Sequence, residues 1–243
     1  MRRAATRLAA ALVALGVVLC AQDAAALVGE VTHLSGAAIA RHTDGQSRIL
    51  SLRSEVREGD LIATAENTYV RLKFADGGDF VLRPNSQLKI DAYSYSEQRP
   101  ESDNIAFALI KGGMRSVTGL LAKRNPANFR LATPTATVGI RGTHFGALVC
   151  NNDCSGIHAV GGGTPANGLH VDVSDGVIVV TSKGGAAEFR AGQFGYVASQ
   201  IALPVIVPPN QGTRIDPPPL MLNQNQQGGG SVGKSGDSEC TVR

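Results

Sequence analysis

The chain has 243 residues and a formal net charge of +3, long enough for one well-buried domain or two small ones. It carries no run of lysine or arginine that would mark a nucleic-acid footprint. With no Trp and four Tyr, it is also poorly supplied for a sugar-binding face built on exposed aromatics.

Residues 1–26 read as a secretory signal peptide. Arg2, Arg3 and Arg7 form a basic start, Leu8 to Cys20 is a continuous apolar run, and Ala24-Ala25-Ala26 offers a small-residue cleavage site. The run is short for a membrane span. The paired arginines leave the twin-arginine route open beside the general one. Cleavage after Ala26 lowers the net charge to +1, with 20 basic against 19 acidic residues remaining. It also leaves three cysteines: Cys150, Cys154 and Cys240. In an oxidising compartment, a hairpin end at Cys150 and Cys154 would bring their α-carbons within disulfide range. The rival arrangement is a metal site joining those two thiols to His144, His158 or His170, but it has no second pair of thiols. A disulfide and no metal is therefore the expectation, with no cofactor and with Cys240 unpaired.

Residues 27–199 read as strands. In "TYVRLKF", Val70, Leu72 and Phe74 alternate with Tyr69, Arg71 and Lys73. Asp76-Gly77 supplies turn chemistry before "DFVLR", and Pro84-Asn85 ends that strand. "QLKID", "NIAFALIKGG" and "LHVDV" continue the alternation, whereas Val177 to Val180 are apolar on both faces and read as central. Only Ser116 to Asn125 could form a short helix, which Gly119 weakens. "LKFADGGDFVL" and "VDVSDGVIVV" suggest one supersecondary unit built twice. The expected fold is all-β, as a sandwich, roll or short solenoid. Residues 200–243 are rich in Pro, Gln, Asn and Gly and are expected to form a disordered tail, with "LPVIV" able to add one edge strand.

The order of these pieces resembles the FecR domain family. The resemblance rests on "VREGDLIATAENTYVRLKFADGGDFVLRPNSQLKI", "ALIKGGMRSV", "FRLATPTATVGIRGTHF" and "VSDGVIVVTSKGGAAEFRAGQFGYV". It implies an all-β domain beyond the inner membrane. In the founding regulators that domain relays the state of an outer-membrane iron transporter to a cytoplasmic sigma factor. Here only a few residues precede the apolar run, so direct sigma-factor binding is not expected. The chain is similar instead to stand-alone exported members, periplasmic or secreted in a Gram-negative-type envelope.

Catalytic patterns are weak. No G-x-S-x-G elbow or G-x-x-x-x-G-K-[ST] loop occurs, and Ser155 to Gly168 reads as a surface loop. Asp60, Asp76, Asp79 and Asp91 lie near predicted strand ends, where turn chemistry accounts for them. A calcium site at Asp172 and Asp175 has no supporting repeat. "ATVGIRGTHFG" reads as a corner. Gly139 and Gly142 bracket Ile140-Arg141, Thr143 opens the next strand, and Phe145 continues the inward alternation. Arg141 is expected to bond turn carbonyls or a carboxylate, and His144 to be partly solvated. The expected function is a non-catalytic envelope module that binds a protein or cell-surface component, with Arg71 and Lys73 on an outward face. A small-ligand or glycan receptor is the alternative, and a metalloenzyme stands third.

Overall fold

The computed structural model describes residues 28–218. Residues 1–26, expected from the sequence to be a signal peptide, and Cys240 lie outside the described residues. The first strands are β1 (Gly29–Leu34), β2 (Ala38–Arg41), β3 (Ser47–Ile49), β4 (Glu55–Val56) and β5 (Leu61–Thr64). Next come β6 (Val70–Phe74), β7 (Asp79–Leu82), β8 (Gln87–Ser94) and β9 (Asn104–Val117). A short helix, α1 (Leu120–Arg124), precedes β10 (Phe129–Ala132) and β11 (Thr137–Cys150). The series ends with β12 (Gly168–Ser182), β13 (Gly185–Arg190), β14 (Phe194–Val197) and β15 (Val205–Val207).

Alternation is what shapes the individual strands. Val70, Leu72 and Phe74 are buried on β6. The backbone then reverses through Gly77 at φ +83°, with the Phe74 amide donating to the Gly78 carbonyl at 2.9 Å. Strand β7 returns with Phe80 and Leu82 inward. The helix is shorter than the sequence suggested, because β9 runs on to Val117. Gly119 acts beside this helix rather than within it, since a side chain there would collide with the Asp76 carboxylate.

All fifteen strands among the described residues belong to one hydrogen-bonded sheet, folded over into two layers. The first half of β9 pairs with β8 and β10, and its second half with β7 and β11. The first half of β11 pairs with β10 and the second with β9. Strand β12 changes neighbour from β14 to β13 along its length. These three long strands therefore form corners that pass from one layer to the other. The layers meet in one core, where Phe74 and Phe80 lie 5.1 and 4.9 Å, ring to ring, from Phe107. Of the all-β forms that the sequence left open, this pairing is that of a sheet folded on itself. Only β9 with β10 is parallel, so the stacked geometry of a solenoid is absent among the described strands.

Two expectations change. The "ADG" and "SDG" segments are different units: the first closes the β6–β7 hairpin, whereas Asp175-Gly176 lies inside the continuous β12. The ordered body also continues past Ser199. Strand β15 adds an edge strand bracketed by Pro204 and Pro208, and the segment beyond it buries Thr213 and Ile215 at 1% exposure each. Ile215 joins Leu148, Cys150 and Cys154 in a small second core, so apolar contact orders a stretch whose composition alone reads as disordered.

Candidate functional site

Strand β11 carries the "GIRGTHFG" segment. Thr137–Arg141 pair with Thr181–Val177, and Phe145–Cys150 with Val173–Gly168; the register shifts between them on either side of His144. Gly142 takes φ +61° and faces Gly176 of β12 at φ +76°. A side chain at Gly176 would run into the Gly142 carbonyl. Thr143 is buried, and its amide donates to the Thr118 hydroxyl oxygen at 2.9 Å. Ala136, Val138 and Ile140 face the core before the bulge, and Phe145, Ala147 and Val149 after it. Gly139 needs no special backbone, and an added Cβ there would meet only the Val179 carbonyl, at 3.8 Å. Arg141 departs from its expected role: it is exposed, and its side chain makes no hydrogen bond or ion pair with the described residues.

The bulge turns His144 toward the outer face, where a charged centre is built around Arg115 of β9. Strand pairing places Arg115 opposite Gly146, and Gly146 opposite Asp172 of β12. The missing side chain at Gly146 leaves room for the Asp172 carboxylate and for Ile215 above it. The Arg115 guanidinium donates to Asp172 Oδ2 at 2.6 Å, to His144 Nε2 at 2.9 Å and to the Ser174 hydroxyl. Asp216, from the segment after β15, lies 3.3 Å from the same guanidinium. Arg115 and Asp172 side chains are only 3% and 8% exposed. Burial pushes the Asp172 carboxyl above its ordinary range despite the guanidinium, and its Oδ1 has no hydrogen-bond partner among the described residues. Burial, and then the adjacent Arg115 charge, hold His144 below the ordinary histidine value.

This geometry decides the chemistry. The Nε2 lone pair of His144 is occupied by a guanidinium N–H, so it cannot take a proton from Ser174. Histidine, serine and carboxylate all converge on Arg115 rather than on one another, which makes the centre an electrostatic clasp that binds three strands and the C-terminal segment.

The other residues named from sequence are dispersed. Cys150 and Cys154 are joined by a disulfide, with α-carbons 5.5 Å apart. Neither can then supply a thiolate to a metal. His158 is exposed, while His170 lies under Tyr196 and its Nε2 sits 2.8 Å from the Ala166 carbonyl. Arg71 is not an outward cation: its guanidinium grips Asp79 of β7 through both oxygens and is 11% exposed. Lys73 is half-buried: its ammonium donates to the Gly77 carbonyl and lies 3.9 Å from Asp79. Asp60 is more than a turn residue. It is fully buried, and although burial opposes its ionisation, Arg48, the Arg57 amide and His42 together hold its pKa low.

The FecR protein family model matches residues 60–164. Among curated proteins, no match is found. Two crystal structures of a "putative anti-sigma factor" from Parabacteroides distasonis are similar to this chain at 14% and 12% identity, with TM-scores of 0.45 and 0.44. Each alignment covers 63% of this chain and 60% of the other. A structure described as a cell surface anchoring domain is 30% identical over 25% of this chain and 80% of its own length, with a TM-score of 0.25. From the buried Asp60, through the β11 bulge, to the loop that follows the disulfide, this chain carries a FecR domain over residues 60–164.

Proposed function

We propose that the protein is an exported, non-catalytic β module of the cell envelope that binds a protein partner in signalling. The FecR match over residues 60–164 is the observation that carries this reading. Export is supported by the signal-peptide pattern of residues 1–26 and by the Cys150–Cys154 disulfide, a bond that persists in oxidising compartments. The non-catalytic reading is supported by the clasp itself, which commits the base-forming atom of His144 to Arg115.

A partner surface is offered by the row Lys73–Asp79–Val117, paired across β6, β7 and β9. Lys73 is half-buried and Val117 exposed there, and Leu120 of α1 is exposed nearby in the chain. Arg71 supports this row from within by fixing Asp79. Crosslinking in intact envelopes, followed by identification of the captured protein, tests the proposal. Capture of one envelope protein that Lys73→Glu weakens is the expected result. Recovery of the chain from cytoplasm with free Cys150 and Cys154 thiols, or no captured partner, would overturn it.

A further inference from the structure

We infer that the cleft between the Glu66–Tyr69 turn, the Arg83–Asn85 turn and the disulfide-tied loop Asp153–Ile157 is a binding site for a small neutral polyhydroxylated ligand, of disaccharide size. The cavity encloses about 430 Å³, within the range of small-ligand sites. Its floor is apolar or bare: Leu148, Ile157 and the Cys154 half of the disulfide, with the Gly112-Gly113 backbone beside them. Glycine is needed at that floor. Gly112 takes φ +74°, and a side chain at Gly113 would press on the Arg83 and Leu148 side chains at 2.9 and 3.1 Å. Their lack of side chains lets Ser86, Arg83 and Leu148 pack close beneath the cavity, and the Gly113 amide and carbonyl are both bonded to Ser86, so the floor is held in place.

The walls carry hydrogen-bonding groups that the fold leaves available, with Glu66, Asn67 and Asn85 exposed and Tyr69 half-buried. Among the described residues, the side chains of Glu66, Asn67, Tyr69 and Asn85 make no hydrogen bond, although all four line the cavity. Backbone strain points to the same place. Non-glycine residues at positive φ are Arg53, Asn67, Asn85 and Asn152 among the described residues, and two of the four are cavity walls. Such conformations cost about 1–3 kcal/mol each and gather where a side chain must be held for a ligand.

The ligand class follows from the inventory. Amides and a phenol donate and accept, which matches hydroxyls that do both. Charge is mixed, with Glu66 and Asp153 set against Arg83 and with Lys111 3.5 Å from Asp153, so neither a strong anion nor a strong cation is favoured. The scarcity of aromatics limits stacking to the ring of Tyr69, and the disulfide makes the opposite wall rigid before binding.

Amide-resolved NMR titration of the full chain with maltose and with N,N′-diacetylchitobiose tests the inference, with glucuronate and glucosamine as charged controls. Saturable shifts at Asn67, Tyr69, Gly113 and Ser155 with a neutral disaccharide are expected. Asn85→Gly, which keeps the backbone conformation and removes the amide, should weaken binding about tenfold without lowering the melting temperature. Tyr69→Ala should weaken it similarly. Absence of saturable shifts with both neutral sugars, shifts unaffected by Asn85→Gly, or tighter binding of a charged control would each overturn the site. Envelope crosslinking is unaffected by Asn85→Gly, so failure here is separate from failure of the protein-partner reading.

Discussion

Arg115 is the side chain on which the outer face depends. Replacing it with methionine keeps much of the volume but strands the buried Asp172 carboxylate beside an occupied sheet. Losing one member of such a pair costs about 3–5 kcal/mol, so urea unfolding of Arg115→Met should show a loss of that order. The double variant Arg115→Met/Asp172→Asn should recover part of it, because no uncompensated charge remains. His144 adds a pH dependence of determined sign. Its folded-state pKa lies below the ordinary value of 6.5, so the unfolded chain takes the proton first as pH falls. The stabilisation is complete above that value and is lost as pH drops from it toward the folded pKa. Asp172, held high by burial, acts in the opposite sense at lower pH, since there the folded state binds the proton first. Urea titrations across mildly acidic pH should therefore show a decline that His144→Asn makes shallower, with His170 supplying the remainder in the same direction. None of this clasp was legible in the sequence. Arg115 and Asp172 are 57 positions apart, and only the β9–β11–β12 register makes them neighbours. The one available signal was a lone arginine at an inward-to-outward strand position in "GGMRSV".

At the scale of elements, the corners explain which glycines matter. Gly142 and Gly176 both hold left-handed backbone at the crossing of β11 and β12, and the space at Gly176 is filled by the Gly142 carbonyl. Gly176→Ala should cost about 1–3 kcal/mol through strain, with the collision adding to it. Gly139→Ala, three residues from the corner on an open stretch of the same strand, should stay within about 0.5 kcal/mol of wild type. Thermal unfolding of the two variants side by side checks the contrast. The strand pattern itself was readable, because "TYVRLKF" and "DFVLR" bury alternate residues against a single core. What periodicity could not distinguish was a hairpin from a bend. "ADG" and "SDG" carry the same Asp-Gly chemistry, yet the first reverses the chain and the second only redirects it. The difference lies in the partner strand: Gly142 faces Gly176 and absorbs the kink, whereas Gly77 faces solvent.

For the whole molecule, the segment after β15 acts as a cover over the outer face. Ile215 closes the small core of Leu148, Cys150 and Cys154, and Asp216 joins the clasp at Arg115. Ile215→Ala should destabilise the protein by about 2–4 kcal/mol. Limited proteolysis should then cut near residues 208–218 before the β strands. Composition hid this cover: four of residues 208–218 are proline, and the single isoleucine among them carries no periodicity. Its position above Gly146 is a tertiary fact.

The shared strands β9, β11 and β12 have a further meaning for how the protein fails. Each is anchored in both storeys of the structure, so neither storey can be detached while the other stays intact. A pull, a crack or a thermal opening that begins in one layer is carried along the same backbone into the other. Damage in such a body has no natural place to stop, and the protein should come apart all at once or not at all.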